Sequence, residues 1–256
     1  MVIAEIGLNH LGDYKEVKSY LNTLLNTKVE GIEFQVRDSI FYARPEKKDL
    51  ELNQQEYADI CRQIKDSGKS FGVALTDITK LDFFKSIGTD FYKVIINDIK
   101  NKELVEALCK TGKKVFISTG LSSDEDIEEL LSWAYCRNIV LNHTQLSNEA
   151  SDSNLKAIKH LRDTHKVPVS FGSHCSNHNI LYMSLCFEPS DILFYVKNES
   201  KAKKEWEKTG YPYPDEKHAI LLEDVSEIVD NIKNLEKAIG SGIKKSFDNK
   251  LKIKNE

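Results

Sequence analysis

Ionisable side chains stand near the carboxyl ends of several short apolar runs in this sequence. They are Glu5, Glu33, Lys93, His143 and His174, with His10 and Asp98 just after two of the runs. Carboxylates, amines and imidazoles transfer protons, and a lysine whose pKa is lowered by burial can also form an imine. The oxygen and nitrogen donors of Glu33 and His174 also suit a divalent metal. A buried structural ion pair of Lys93 with Glu5 or Glu33 is the simpler alternative.

Eight short apolar runs alternate with eight amphipathic helical patterns along the chain. The predicted strands are Val2–Ile6, Gly31–Val36, Ser70–Leu75, Phe91–Ile96, Lys114–Ser118, Ile139–His143, Val167–Phe171 and Asp191–Val196. The predicted helices are Tyr14–Thr27, Gln54–Ser67, Ile78–Ile87, Lys102–Thr111, Ser123–Tyr135, Asn154–His165, His178–Phe187 and Leu222–Ile239.

Eight consecutive strand–helix units predict a parallel sheet. No Gly-x-Gly-x-x-Gly follows the first strand, which disfavours an open dinucleotide-binding sheet. The count of eight and the length of 256 residues favour a closed barrel. We therefore predict an α/β fold, a single eight-stranded parallel β/α (TIM) barrel over residues 1–245, followed by a charged tail at 246–256. Barrel enzymes place their sites at the carboxyl ends of the strands, where the ionisable residues stand.

Two long connections interrupt this alternation. Ser39–Asn53 follows the second strand and Asn198–His218 follows the eighth, so both emerge at the same end of the predicted barrel. Connections of this length are typical of lids and binding loops, and a surface excursion is the equal alternative.

Composition and charge restrict the class of partner. The net charge is −4, which disfavours nucleic-acid binding because phosphate contacts require a concentrated basic surface. No apolar run approaches the length of a membrane span, and the first residues resemble a strand more than a signal peptide, so we expect a cytoplasmic protein without membrane contact. The five cysteines are odd in number and form no Cys-x-x-Cys pair, which predicts neither a disulfide framework nor a zinc site.

Several stretches together resemble one known family. They are Ala4–Asp13 (AEIGLNHLGD), Glu33–Gln35 (EFQ), Phe91–Val94 (FYKV), Thr111–Gly120 (TGKKVFISTG), Leu155–Ile158 (LKAI) and Leu235–Gly242 (LEKAIGSG). In this order they are similar to stretches of the sialic acid synthase family, and the likeness spans residues 2–245. Members of that family condense phosphoenolpyruvate with an acylamino sugar to give nine-carbon acidic sugars.

The resemblance implies roles for individual residues. Glu5 and Asp215 would lie by the sugar, Lys93 and Ser118 would contact phosphoenolpyruvate, and His174 would be one of two ligands to a divalent metal, Mn²⁺ or Mg²⁺. Asn9, His10 and Gln35 lie in the matching motifs, and Arg37 could neutralise an anionic substrate. The expected substrate-binding residues are therefore Asn9, His10, Gln35, Arg37, Ser118, His143 and Asp215. A homodimer is a further expectation from the family.

The chain also departs from the family at several positions. Glu33 stands where the family has a lysine that contacts phosphate, and a carboxylate there would repel a phosphate by an energy on the order of 1 kcal/mol or more. Ala74 replaces a phosphate-binding hydroxyl, and Asp98 lies in a segment that has lost another hydroxyl. Val196 takes the position of the second metal histidine. The likeness ends at residue 245, so we expect this chain to lack the family's small carboxyl-terminal antifreeze-like domain.

The sequence therefore predicts an enzyme of acidic-sugar or cell-surface carbohydrate biosynthesis with a rewritten site, in which Glu5, Glu33, Lys93 and Asp98 are the candidate catalytic residues. One alternative is different carbonyl chemistry on a sugar-like substrate, as in an aldolase or epimerase. Another is a non-catalytic relative that binds a sugar or a partner protein. The last alternative predicts a pocket plugged by Phe194, Tyr195 or Ile96, whereas an open pocket with a Glu33–His174 cluster would contradict it.

Overall fold

The computed structural model describes residues 1–95, 98–134 and 136–244. Eight parallel strands form the barrel: β1 (Val2–Gly7), β2 (Gly31–Val36), β3 (Ser70–Leu75), β4 (Phe91–Val94), β5 (Lys114–Ser118), β6 (Ile139–Thr144), β7 (Val169–Ser173) and β8 (Ile192–Lys197). Each strand pairs with the next, and β1 pairs with β8, which closes the sheet. A short ninth strand, β9 (Ile220–Leu221), pairs with β8 outside this circle. The predicted β/α barrel is confirmed.

Helices follow the strands at the eight predicted places, and two short helices, α2 and α9, lie in the two long connections. They are α1 (Tyr14–Leu24), α2 (Ser39–Tyr42), α3 (Gln54–Asp66), α4 (Leu81–Ser86), α5 (Lys102–Lys110), α6 (Asp124–Trp133), α7 (Lys156–His165), α8 (Asn179–Ser184), α9 (Lys201–Glu207) and α10 (Val225–Ile239). Asn53 and Ser123 start α3 and α6 with capping boxes, in which each side chain accepts from a backbone N–H one turn on. The patterns over 78–87 and 178–187 each divide into a short 3₁₀ turn and an α-helix.

Two predicted ends and the predicted tail fall outside the described residues. Ile96, the predicted end of the fourth strand, and Tyr135, the predicted end of the sixth helix, are not among them, nor is the predicted tail at 246–256. No helix within the described ranges is both long enough and apolar enough to cross a membrane.

Side chains of each strand alternate between the barrel interior and the helix layer. At the amino-terminal end the interior is filled by an apolar plug of Ile3, Phe91, Phe116, Val140 and Leu193. A much larger apolar cluster joins the outward faces of the strands to the helices. The plug leaves only the carboxyl-terminal half of the interior for polar groups, which is where barrel enzymes carry out their chemistry.

The two long connections pack against each other over one side of the barrel mouth. The first contains α2, and the second contains α9. Leu8 and Leu11 from the loop after β1 form a small separate apolar cluster with Tyr42 and Leu50 of the first connection and Tyr213 of the second. This cluster fixes both connections to the barrel.

Gly72 gives a direct test of the packing of the plug. A Cβ atom at this position would lie 1.9 Å from the Phe91 ring, so Gly72→Ala must displace a fully buried aromatic side chain. We expect a loss of about 1–3 kcal/mol in the free energy of unfolding, measured by urea denaturation. Ser70→Ala, at the half-buried start of the same strand, is the matched control and should change stability little. Equal stability of the two variants would contradict this packing.

Candidate active site

A cavity of about 170 Å³ opens at the carboxyl ends of the barrel strands. Its lining residues are Glu5, Gln35, Arg37, Lys93, Ile95, Ser118, Asn142, Thr144, Leu146, Gly172, His174 and Tyr195. Six of them are residues that the sequence singled out: Glu5, Gln35, Arg37, Lys93, Ser118 and His174. The barrel brings these six together from five strands and their carboxyl ends, β1, β2, β4, β5 and β7.

Lys93 is the central charge at the floor of the cavity. Its Nζ lies 2.5 Å from Oε2 of Glu5 and 3.4 Å from Oε1 of Glu33. The exposed fractions of Lys93, Glu5 and Glu33 are 4%, 2% and 1%. Burial of one cation with two carboxylates leaves an excess negative charge out of water, which is unfavourable unless one carboxyl group holds a proton.

The pKa shifts within this triad indicate where that proton resides. Burial, together with the negative charge of Glu5, raises the pKa of Glu33 to about 8, although Lys93 opposes the shift. Oε2 of Glu33 is buried without a hydrogen-bond partner among the described residues, which suits a neutral carboxyl group better than a carboxylate. The burial and charges of the triad therefore favour a Glu5–Lys93 ion pair beside a protonated Glu33.

The state of Lys93 limits its chemistry. Burial alone would lower its pKa, but Glu33 and Glu5 outweigh this effect and hold the pKa above its ordinary value. The amine stays protonated, so the structure does not support the imine-forming lysine that the sequence left open. A fixed ammonium group can instead donate hydrogen bonds to an oxygen that becomes negative during a reaction.

Arg37 brings a second cation to the cavity. Its guanidinium lies 4.4 Å from the centre of the Phe41 ring, and its Nε is buried without a hydrogen-bond partner among the described residues. Burial lowers the pKa of Arg37 somewhat, while Asp38 and Asp98 oppose that effect by charge. Asp98, predicted as catalytic, is absent from the cavity lining, and its charge acts on Arg37.

A set of hydrogen-bonding side chains covers the wall opposite the triad. Asn142 accepts a hydrogen bond from Ser170 Oγ at 2.9 Å, and its Nδ2 lies 3.5 Å from Ser118 Oγ. Gly172 makes room for Asn142, because a Cβ there would lie 2.7 Å from Asn142 Nδ2. These groups can bind substrate hydroxyl or carboxylate oxygens.

His174 lies at the rim within a cluster of rings. Its ring stacks on Tyr195 with centroids 5.3 Å apart and meets the edge of His218 at 4.6 Å. His218 comes from the second long connection, and its Nε2 lies 3.5 Å from Oδ1 of Asp215. Burial, followed by the nearby His218, lowers the pKa of His174 to about 4.

Two predicted site histidines lie outside the cavity. His143 follows an inward-facing residue of β6 and so points outward; it hydrogen bonds to the carbonyl oxygen of Ser153 at 3.0 Å and stacks on Phe171. His10 is fully buried beside Phe34 of the helix-facing cluster, and burial lowers its pKa to about 3. The structure therefore does not bring either histidine into the lining of this cavity.

Asn9 and Asp215 form part of the wall that supports the site. Asn9 donates to the carbonyl oxygen of Val196 at 2.8 Å and accepts from the backbone N–H of Asp215 at 3.2 Å. Tyr213 also donates to the carbonyl oxygen of Asn9 at 3.0 Å. Neither Asn9 nor Asp215 lines the cavity, and their hydrogen bonds hold the second connection in place.

Strand β8 corrects the expected position of the second metal histidine. Val196 and Phe194 belong to the helix-facing apolar cluster, whereas Tyr195 between them lines the cavity. Val196 therefore could not present a metal ligand to the site. Tyr195 narrows the cavity without filling it, Phe194 points away, and Ile96 lies outside the described residues.

The donor set does not fit a divalent metal. Across residues 1–95, 98–134 and 136–244, no group of three or more His, Cys, Asp or Glu side chains is arranged to hold one. Glu33, expected to join His174, is paired with Lys93 instead. Tyr195 covers one face of His174, and the second imidazole beside it, His218, would add only one further nitrogen donor.

Sequence reasoning missed Asn142, Thr144 and His218 at this site, and it considered Tyr195 only as a residue that could plug the pocket. Asn142, Thr144 and Tyr195 could have been found by alternation, because the first two flank the outward His143, and Tyr195 stands in register with Glu5. His218 carries no such signal, since its position depends on the path of a long connection.

Comparison with known proteins supports the resemblance seen in the motifs. The sequence profile of the NeuB family matches residues 21–244. The chain belongs to the NeuB family. The predicted likeness to sialic acid synthases is thus confirmed at the level of the family.

Individual relatives are similar to this NeuB-family protein over nearly its whole length. The chain is 23% identical to an N,N'-diacetyllegionaminic acid synthase of Campylobacter jejuni, over 98% of this chain and 81% of the relative. It is 28% identical to an uncharacterised protein of Methanocaldococcus jannaschii, over 95% and 73%. Among solved structures, the N-acetylneuraminic acid (sialic acid) synthetase of Leptospira borgpetersenii superposes with a TM-score of 0.84 at 22% identity, covering 96% of this chain and 86% of that one. At this identity the structural likeness shows the fold.

The proton on Glu33 predicts a specific pH dependence of stability. Between the ordinary carboxyl pKa of 4.5 and the folded value of about 8, the unfolded chain releases a proton that the folded chain retains. Stability at this site is therefore greatest below pH 4.5 and falls as the pH rises towards 8.

Glu33→Gln mimics the protonated form, so its free energy of unfolding should rise relative to wild type from pH 5 to pH 8, as measured by urea denaturation. Glu128→Gln, at an exposed position on α6, is the matched control and should follow wild type. A constant difference between Glu33→Gln and wild type over this range would show that Glu33 is ionised.

Proposed function

We propose that this NeuB-family protein is an enzyme of acidic-sugar metabolism that forms or breaks a carbon–carbon bond next to the carbonyl group of a 2-oxo acid. The observation that carries the proposal is the cavity that places the protonated Lys93, its partner Glu5 and the additional cation Arg37 together. The sialic acid synthase family adds a three-carbon acid, phosphoenolpyruvate, to a sugar. The proposed reaction uses a three-carbon acid that carries no phosphate group.

The charge of the cavity favours one carboxylate over a phosphate ester. The charge of Lys93 is balanced by Glu5, and Glu33 in the family's phosphate-binding position offers no positive charge. Arg37 remains to bind an anion, and a guanidinium can pair with a carboxylate through two hydrogen bonds. Phosphoenolpyruvate would bring a carboxylate and a phosphate, which is more negative charge than this site balances.

The size of the cavity also favours a small substrate. Its volume of about 170 Å³ lies below the range of roughly 300–1,000 Å³ that holds drug-sized ligands. Such a volume accommodates one small metabolite. A three-carbon oxo acid would occupy the floor, and an aldehyde partner would approach from the mouth beside Leu146 and His174.

The triad supplies the proton transfers that this chemistry requires. Glu5 takes a proton from the carbon next to the carbonyl, and the electron pair moves into an enolate. The Lys93 ammonium donates a hydrogen bond to the enolate oxygen. The enolate carbon then bonds to the aldehyde carbon, and the aldehyde oxygen takes up the proton that Glu5 carries. Cleavage is the same sequence in reverse.

Enolate formation can be tested before the aldehyde is known. Pyruvate incubated with the protein in D₂O should lose its methyl proton signal in NMR faster than without protein. Arg37→Met should weaken pyruvate binding by about tenfold to a hundredfold, because it removes a charge-assisted contact. Arg44→Met is the matched control, since Arg44 lies near the same Phe41 ring but outside the cavity lining.

Two other outcomes would decide against the proposal. In one, the protein incubated with phosphoenolpyruvate, Mn²⁺ and acylamino sugars releases phosphate and forms a nine-carbon acid. This result would establish the reaction of the sialic acid synthase family instead of the proposed one. Folded protein that neither exchanges protons of 2-oxo acids nor binds them would favour the non-catalytic alternative.

A further inference from the structure

His174 is held from three sides by groups that leave its orientation little freedom. Its Nδ1 lies 3.2 Å from Thr144 Oγ1 and 3.2 Å from the carbonyl oxygen of Gln145. The Tyr195 ring covers one face at an interplanar angle of 24°, and the His218 ring meets it at 79°. Tyr195 and His218 also contact each other, with centroids 5.1 Å apart.

These contacts determine which nitrogen carries the proton. A carbonyl oxygen can only accept a hydrogen bond, so Nδ1 must donate to Gln145. In a neutral imidazole the other nitrogen then has a free lone pair. Nε2 of His174 makes no hydrogen bond within the described part of the chain, and the residue lines the cavity. The ring therefore offers the cavity an acceptor.

A metal ion is the alternative partner for this lone pair, but the residues around His174 do not complete a metal site. The nearest imidazole, His218, packs by its edge against both His174 and Tyr195. The described residues hold no third His, Cys, Asp or Glu side chain in a ligating arrangement. A substrate hydroxyl, by contrast, requires only one acceptor.

We propose that His174 acts in this protein as a metal-independent hydrogen-bond acceptor for a substrate hydroxyl group, and that Tyr195 and His218 are positioning residues that fix its ring. Only the identity of the hydroxyl-bearing substrate rests on the proposed function. In that reaction the hydroxyl is the one that forms from the aldehyde oxygen at the cavity mouth.

Long-range ¹H–¹⁵N NMR of the histidine-labelled full chain tests this role without turnover. The chain has seven histidines, and loss of a signal in His174→Gln assigns the one of interest. We expect His174 in the single tautomer with a proton on Nδ1. With excess Mn²⁺, the signals of His174 and His218 should broaden no more than that of the exposed His160, which reports non-specific contact. A proton on Nε2, or selective broadening at His174 and His218, would overturn the proposal.

The positioning roles have their own test. Tyr195→Phe keeps the stacked ring and should keep the single tautomer, whereas His218→Ala removes one supporting face and should give a mixture of tautomers. Circular dichroism establishes that each variant is folded. An unchanged tautomer in His218→Ala would refute its positioning role. If pyruvate exchange fails while the tautomer and Mn²⁺ results hold, the proposed function fails and the inference about His174 stands.

Discussion

The burial of Lys93 between Glu5 and Glu33 is the constraint on which the site depends. A lone ammonium group in this interior would lose its hydration without compensation, and two carboxylates without it would repel each other at close range. Each of the three residues therefore stabilises the others, and the group also requires one proton. Glu33, whose pKa is raised, is the residue that holds it. The apolar plug lies beneath the triad and the cavity opens above it, so the geometry favours proton exchange through the cavity.

Much of the fold was predictable because the interactions that define it are local and periodic. Apolar runs, helix caps and the count of eight units led to the barrel, and the strand bounds agree to within a few residues. The triad was predictable as well, since Glu5, Glu33 and Lys93 stand near strand ends. Which of the two carboxyl groups pairs with Lys93 and which holds a proton was not predictable. That difference depends on distances of 2.5 and 3.4 Å within the barrel, which no sequence pattern specifies.

The differences between the predicted and the observed placements have two physical causes. His143 and Val196 were placed by similarity or by proximity to a strand end, although side-chain alternation sends both towards the helices. His10 was placed by its motif, but the turn after β1 buries its ring beside Phe34. His218 was missed because a long connection brings it to the site, and the path of such a segment is set by tertiary contacts such as those of Tyr213 and Asp215 with Asn9.

The contacts of Asn9 have a consequence for the order in which the molecule assembles. Its side chain joins the first loop of the chain to Val196 and Asp215, which are 187 and 206 positions away in sequence. A ribosome must therefore have released nearly the whole barrel before this wall can form, and contacts of such long range close late in folding. Until then the charged floor of the cavity is open to water. The site is thus among the last parts of the protein to come into existence in the cell.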